Sequence, residues 1–149
     1  TKTGSDLLYT TTYQERWHSN PKRVDSVFHI SSKMTLQGKE VAYLRKNEPH
    51  KLEVEFKLKK AANYLAITVP IPAGCSYVNK LLGRGESHRE HFRDKVVIYL
   101  RALDAGKHSF TVNLLPKFGG RYTLNPVQAE LMYIPTIGGN NQLKSVHIK

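Results

Sequence analysis

Lys51-Leu52-Glu53-Val54-Glu55-Phe56-Lys57-Leu58-Lys59-Lys60 alternates apolar and charged side chains from Leu52 to Lys59. A period of two places Leu52, Val54, Phe56 and Leu58 on one face of a strand and the charges on the other. The same alternation recurs on either side. Phe28, Ile30, Ser32, Met34 and Leu36 share a face in a segment that stops at Gln37-Gly38. Leu65, Ile67, Val69 and Ile71 alternate through Tyr64–Ile71 and stop at Pro72-Ala73-Gly74. Val96, Ile98 and Leu100 form another face, Phe110, Val112 and Leu114 a fourth, and Val127, Ala129, Leu131 and Tyr133 a fifth. Pro70 lies inside one of these runs and predicts an edge strand or a bulge near its end, because proline has no N–H for a ladder.

The segments between these runs carry turn chemistry. Asp104-Ala105-Gly106 reads as a tight, hairpin-like connection, and Pro116-Lys117-Phe118-Gly119-Gly120 as a second turn. The best helical stretch is a short piece around Val78–Leu82, and no longer segment has a 3.6 period. Gly83–Asp94 reads as a polar loop. Six or seven strands at turn spacings of about ten residues predict an all-β, two-sheet sandwich of Greek-key type. The whole chain, 1–149, forms one such domain in this reading. Residues from about 138 to 149, opening on Gly138-Gly139-Asn140-Asn141, read as a flexible tail, with Leu143, Val146 and Ile148 either disordered or paired as an edge strand.

Composition narrows the function. The chain has 149 residues, with 23 Lys+Arg against 12 Asp+Glu and a formal net charge of +11. The excess is dispersed: 8 basic and 5 acidic groups in residues 1–50, 9 and 5 in 51–100, and 6 and 2 in 101–149. No arm or block of like charge stands out, and the solvent-facing partners in Lys51–Lys60 are Glu and Lys without an aromatic. This is a solvated strand face rather than a nucleic-acid footprint. No apolar run approaches the ~20 residues of a membrane helix. The single cysteine, Cys75, excludes an internal disulfide framework.

Catalytic constellations are missing from the pattern. His88-Arg89-Glu90-His91 spaces two imidazoles for a shared metal only if the segment is helical, and no third ligand is evident. Cys75 has no base in view. Gly83-Arg84-Gly85-Glu86 lacks the Gly-Lys-Ser/Thr ending of a phosphate loop. Acids are sparse, with Asp104 and Glu130 alone in the last third. Tyr9, Tyr13 and Trp17 are spaced by four, as strand-and-loop packing or as a carbohydrate-stacking platform. The residues thus describe an all-β domain, not an enzyme, with no cofactor and no metal.

Four stretches, in order, resemble bacterial alpha-2-macroglobulin family proteins. Tyr64-Leu-Ala-Ile-Thr-Val-Pro-Ile-Pro-Ala-Gly74 is similar to the family's "Val-x-Asp-Pro-Leu-Pro-Ala-Gly" strand and turn. His91-Phe-Arg-Asp-Lys-Val-Val-Ile-Tyr99 is similar to "Glu-x-Arg-Asp-Asp-Arg-Val". Leu103-Asp-Ala-Gly-Lys-His-Ser-Phe110 is similar to "Leu-x-x-Gly-x-x-x-Phe". Gly120-Arg-Tyr-Thr-Leu-Asn-Pro-Val-Gln-Ala-Glu-Leu-Met-Tyr-Ile-Pro135 resembles the closing signature "Gly-x-Phe-x-x-Pro-Pro-x-x-Ala-Glu-x-Met-Tyr-x-Pro". The resemblance covers about residues 48–138, and residues 1–47 match loosely.

The resemblance implies the family's C-terminal macroglobulin-like domain, an immunoglobulin- or fibronectin-like sandwich. It implies a large multidomain parent exported to the periplasm or cell envelope, in some cases as a lipoprotein, that traps attacking proteases. The partners it implies are the thioester domain and neighbouring macroglobulin domains of the same parent, and target proteases through that parent. The opening Thr1-Lys2-Thr3-Gly4, without a starter Met or signal peptide, agrees with a fragment. The reactive Gly-Cys-x-Glu-Gln of the family lies in another domain, and Gly74-Cys75-Ser76-Tyr77 lacks its Glu-Gln pair. The expected interdomain contact is Glu130, Met132, Tyr133 and Pro135, because a methionine beside a tyrosine at a strand end makes an adaptable surface. The other reading of the same residues is that Tyr133 or Met132 closes the end of the sandwich. A sugar- or peptidoglycan-binding sandwich of an envelope protein is the alternative.

Overall fold

The computed structural model describes residues 10–14 and 21–149. Twelve strands are present among them, and no helix. The first sheet is built from β1 (Phe28–Leu36), β2 (Lys39–Glu40), β3 (His50–Leu58), β5 (Cys75–Tyr77) and β8 (Gly106–Pro116), in the order β2-β1-β3-β8-β5. The second contains β4 (Ala62–Pro70), β6 (His88–His91), β7 (Lys95–Leu103), β10 (Gln128–Leu131) and β11 (Ile134–Asn140), in the order β11-β10-β4-β7-β6. Every pairing is antiparallel. A smaller pair, β9 (Gly120–Leu124) with β12 (Lys144–Ile148), stands outside both sheets.

The core comes from the alternation read in the sequence. In β3, Leu52, Val54, Phe56 and Leu58 are buried, and so are Leu65, Ile67 and Val69 of β4, Val96, Ile98 and Leu100 of β7, and Phe110, Val112 and Leu114 of β8. They meet in one cluster between the sheets. Phe28 and Phe56 pack with ring centroids 5.3 Å apart. Each such aromatic or aliphatic side chain contributes about 1.5–3 kcal/mol on full burial. Among the described residues, no buried side-chain polar atom lacks a hydrogen-bond partner.

The connections explain where the turn readings differ from the fold. Gln37 and Gly38 have φ of 49° and 81° and link Leu36 to Lys39 in a two-residue hairpin, as expected for adjacent strands. Asp104-Ala105, by contrast, joins strands of opposite sheets. The hairpin expected there is an arch: β7 pairs with β4, and β8 with β3. The β3–β4 and β7–β8 arches lie side by side, so β3 pairs with β8 in one sheet and β4 with β7 in the other. Pro70 is on neither an edge nor a bulge. It is the last residue of β4, the central strand of its sheet, where it faces Lys95 and its missing N–H costs no interior ladder bond.

Three further readings are corrected. Val78–Leu82 is not helical. The polar loop over Gly83–Asp94 contains β6, which pairs with β7 from His88↔Tyr99 to His91↔Val96. The flexible tail of about 138–149 is instead largely strand. β11 runs to Asn140, and β12 pairs with β9 from Lys144↔Leu124 to Ile148↔Gly120. Val146 and Ile148 bury with Leu44 and Leu124 in a second small core, so apolar burial holds the tail down. Asn141 reinforces it: its Oδ1 accepts from the Val127 amide at 2.7 Å, and its Nδ2 donates to Ser32 Oγ at 2.9 Å.

Candidate functional site

The four residues expected at an interdomain contact all lie in the β10–β11 hairpin. Glu130, Met132, Tyr133 and Pro135 are exposed. Leu131↔Ile134 closes the hairpin, and the register shifts between Glu130 and Leu131. Met132 and Tyr133 form its tip. Val127 and Ala129 are buried and Leu131 packs against the core, as the alternation predicts. Tyr133 does not continue that face. It leaves the strand at the tip and is 76% exposed. Ile134 beside it is 51% exposed, so the tip presents three adjacent large apolar side chains.

Tyr64 supports this tip and was not singled out by sequence patterning. Its carbonyl accepts the Met132 amide at 2.8 Å. Its ring meets Tyr133 edge-on, with centroids 5.1 Å apart and planes at 74°. Its φ is +55°, a left-handed conformation that a bulky residue adopts at a cost of about 1–2 kcal/mol. This conformation interrupts β4 between Asn63↔Ala102 and Leu65↔Leu100 and turns the Tyr64 carbonyl to the tip. Nothing in a run of β-forming residues signals it. The edge-on geometry also argues against a sugar-stacking platform at this tip, which needs coplanar rings. Of the other aromatic set, Tyr13 is 87% exposed, while Tyr9 and Trp17 lie outside the described residues.

The remaining chemical candidates separate in space. His88 and His91 sit on a strand, where a spacing of three points the side chains to opposite faces. His88 stacks on Tyr99, and His91 meets Tyr77 edge-on. Burial, then the nearby Arg89 and Lys80 charges, hold the His91 imidazole below its usual pKa. No cluster of three metal-ligating side chains occurs among the described residues. Burial raises the Cys75 thiol to about 12, which keeps it protonated and a poor nucleophile.

The segment discarded as a phosphate loop has a structural role. The Glu86–Arg89 ion pair is almost fully buried, with side chains 1% and 5% exposed. Arg89 Nε donates to Glu86 Oε2 at 2.7 Å, and its Nη1 donates to the Thr111 carbonyl at 2.9 Å. Glu86 also accepts the Gly83 amide at 2.9 Å. The pair ties the 79–86 segment to the edge strand of one sheet and to β8 of the other.

This geometry defines a class: a two-sheet β-sandwich whose chemically distinctive surface is an apolar hairpin tip. The model of the bacterial alpha-2-macroglobulin MG10 domain matches residues 26–136, and the chain belongs to that family. No curated protein sequence matches it. Among solved structures, trypsin-activated alpha-2-macroglobulin from Escherichia coli superposes with a TM-score of 0.75 at 15% identity, over 87% of this chain and 11% of that one. The Escherichia coli protein activated by porcine elastase gives 0.73 at 18%, over 85% and 14%. Salmonella alpha-2-macroglobulin reacted with methylamine gives 0.73 at 18%, over 87% and 10%. At these identities the likeness concerns the fold. The chain spans a small part of each of these proteins.

Proposed function

We propose that this chain is a non-catalytic interaction domain at the C-terminal end of a bacterial alpha-2-macroglobulin-like protease inhibitor, and that it packs against the parent's thioester domain. The observation that carries this reading is the exposed Met132-Tyr133-Ile134 tip, held in place by Tyr64. Exposed contiguous apolar side chains mark contact surfaces, and methionine and tyrosine suit one that must re-form. Glu130 and Pro135 frame the tip on the two strands of the hairpin. Defence against attacking proteases is then a property of the parent, located in the periplasm or cell envelope, and this domain contributes shielding rather than chemistry.

The test is binding of the isolated chain to the recombinant thioester domain of its own parent, followed by NMR footprinting. The expected footprint covers Met132, Tyr133 and Tyr64, and Tyr133→Asp weakens association by ~10-fold or more, as for a central interface aromatic. Association that Tyr133→Asp and Met132→Asp leave unchanged would sink the assignment. The isolated chain is also expected to form no covalent adduct with any protease.

A further inference from the structure

The outward face of the first sheet carries a second feature, on the opposite sheet from the hairpin tip. Rows of side chains cross β1, β3 and β8 in register. One row is His29–Lys57–Lys107 and the next is Ser31–Glu55–Ser109. All six side chains line a single open concavity of about 560 Å³. Lys57 and Lys107 face each other directly across adjacent strands, which places their Cβ atoms ~4.5–5.5 Å apart. Like charges in that relation destabilise a sheet.

The same face shows the ordinary solution two rows away. There Lys33 stands opposite Glu53 and bonds to Glu53 and Glu55 at 3.7 Å and 3.2 Å. Glu55, the carboxylate in the concavity, is thereby already engaged. Lys57 and Lys107 have no acidic partner among the described residues. Arg23 donates to His29 Nδ1 at 2.8 Å, but Asp25 lies 3.1 Å from Arg23 and 3.7 Å from the His29 ring, so the unpaired charge of the concavity rests on the two lysines. Ser109, one row from Lys107 on β8, supplies a neutral donor, whereas Ser31 lies on the far side of Glu55.

We propose that this concavity is a phosphate-binding site, with Lys57 and Lys107 as the charged donors and Ser109 as a neutral one. Two ammonium groups that repel one another when empty are both satisfied by one multiply charged oxyanion. The ligand is either a soluble phosphate or the phosphate of a lipid headgroup.

The test titrates inorganic phosphate into the 149-residue chain at constant ionic strength, read by amide NMR shifts. Saturable shifts are expected, confined to β1, β3 and β8 around His29, Lys57 and Lys107. Lys57→Gln/Lys107→Gln is expected to weaken binding by ~10-fold or more, while Lys117→Gln, in the turn after β8, leaves it unchanged. The double variant should melt at the same or a higher temperature, because it removes a repulsion on an exposed face. Cosedimentation with phosphatidylglycerol vesicles, against phosphatidylcholine vesicles, separates the sources. Retention that the double variant loses places the phosphate on a lipid, whereas phosphate binding without retention makes it soluble. Shifts that are linear and spread over all basic residues overturn the site. So does binding by either ligand that the double variant retains, and so does binding of neither ligand.

Discussion

Cys75 and Tyr77 lie on the short strand β5, and burial holds both in their protonated forms. The thiol is raised from 9.0 to about 12, and the phenol from 10.0 to about 12, with the Asp94 charge a further cause for Tyr77. Tyr77 Oη also donates to the carbonyls of Phe92 at 2.6 Å and Lys95 at 2.8 Å, an arrangement that the phenolate cannot keep. Between the unfolded and folded pKa values the folded state holds more protons, so stability falls as pH rises. The expected outcome is a loss of stability beginning near pH 9 and running to about 12. Urea denaturation across that range checks it, and Cys75→Ala with Tyr77→Phe should flatten the slope. Thiol labelling of the folded chain at pH 8 is expected to be far slower than of the unfolded chain.

Glu86 and Arg89 make a sharper case at the same scale. Removing one member strands the other charge in a site with little water, so Glu86→Ala is expected to cost about 3–5 kcal/mol in denaturant unfolding. Replacement of both by apolar residues of similar volume should cost much less. Sequence spacing placed these two residues in a polar loop. Their burial depends on β6 forming beside β7 and on the Thr111 carbonyl arriving from the other sheet, neither of which is encoded locally.

Among the elements, the β4–β5 crossover depends on Gly74. Its carbonyl accepts the amides of Lys117 at 2.8 Å and Phe118 at 3.1 Å. A Cβ there would lie 2.6 Å from the Tyr122 ring and 2.7 Å from the Phe118 carbonyl. Gly74→Ala is therefore expected to destabilise by about 1–3 kcal/mol through overpacking, measured by thermal or urea unfolding. Pro72-Ala73-Gly74 was legible as a turn, but the close approach of the β8–β9 turn was not. Strands with strict alternation were equally legible: β3, β4, β7 and β8 bury the side chains that their period assigns. The hairpin tip was legible as residues and not as geometry. Met132 and Tyr133 appear in the sequence, yet the register shift that pushes Tyr133 out of the buried face and the left-handed Tyr64 arise only when β10 docks on β4.

For the whole molecule, the C-terminal strand decides how the open end of the sandwich closes. Leu44, Leu124, Val146 and Ile148 form a core distinct from the main one, with Leu44 bridged to Ile148. Deletion of residues 144–149 removes two of these four side chains and is expected to cost about 3 kcal/mol or more in apolar burial alone, read as a lower unfolding midpoint. Asn141→Ala, which breaks the link from this end to Val127 and Ser32, is expected to cost about 1–3 kcal/mol by leaving buried polar groups unpaired. A fold held by long-range strand pairs has few local contacts to fall back on, so both changes act on the domain as a unit.

The sequence by itself determined the class of fold and its core, because a period of two is a local property and dictates which side chains meet. It also excluded an internal disulfide, since a single cysteine is a fact of composition. The tertiary structure decided which turns are hairpins and which are arches, because a turn's residues permit a reversal without saying which sheet the next strand joins. It decided that the tail is a strand, that two lysines share one concavity, and that Tyr64 supports the Met132-Tyr133 tip. Each of these depends on residues far apart in the chain arriving in register.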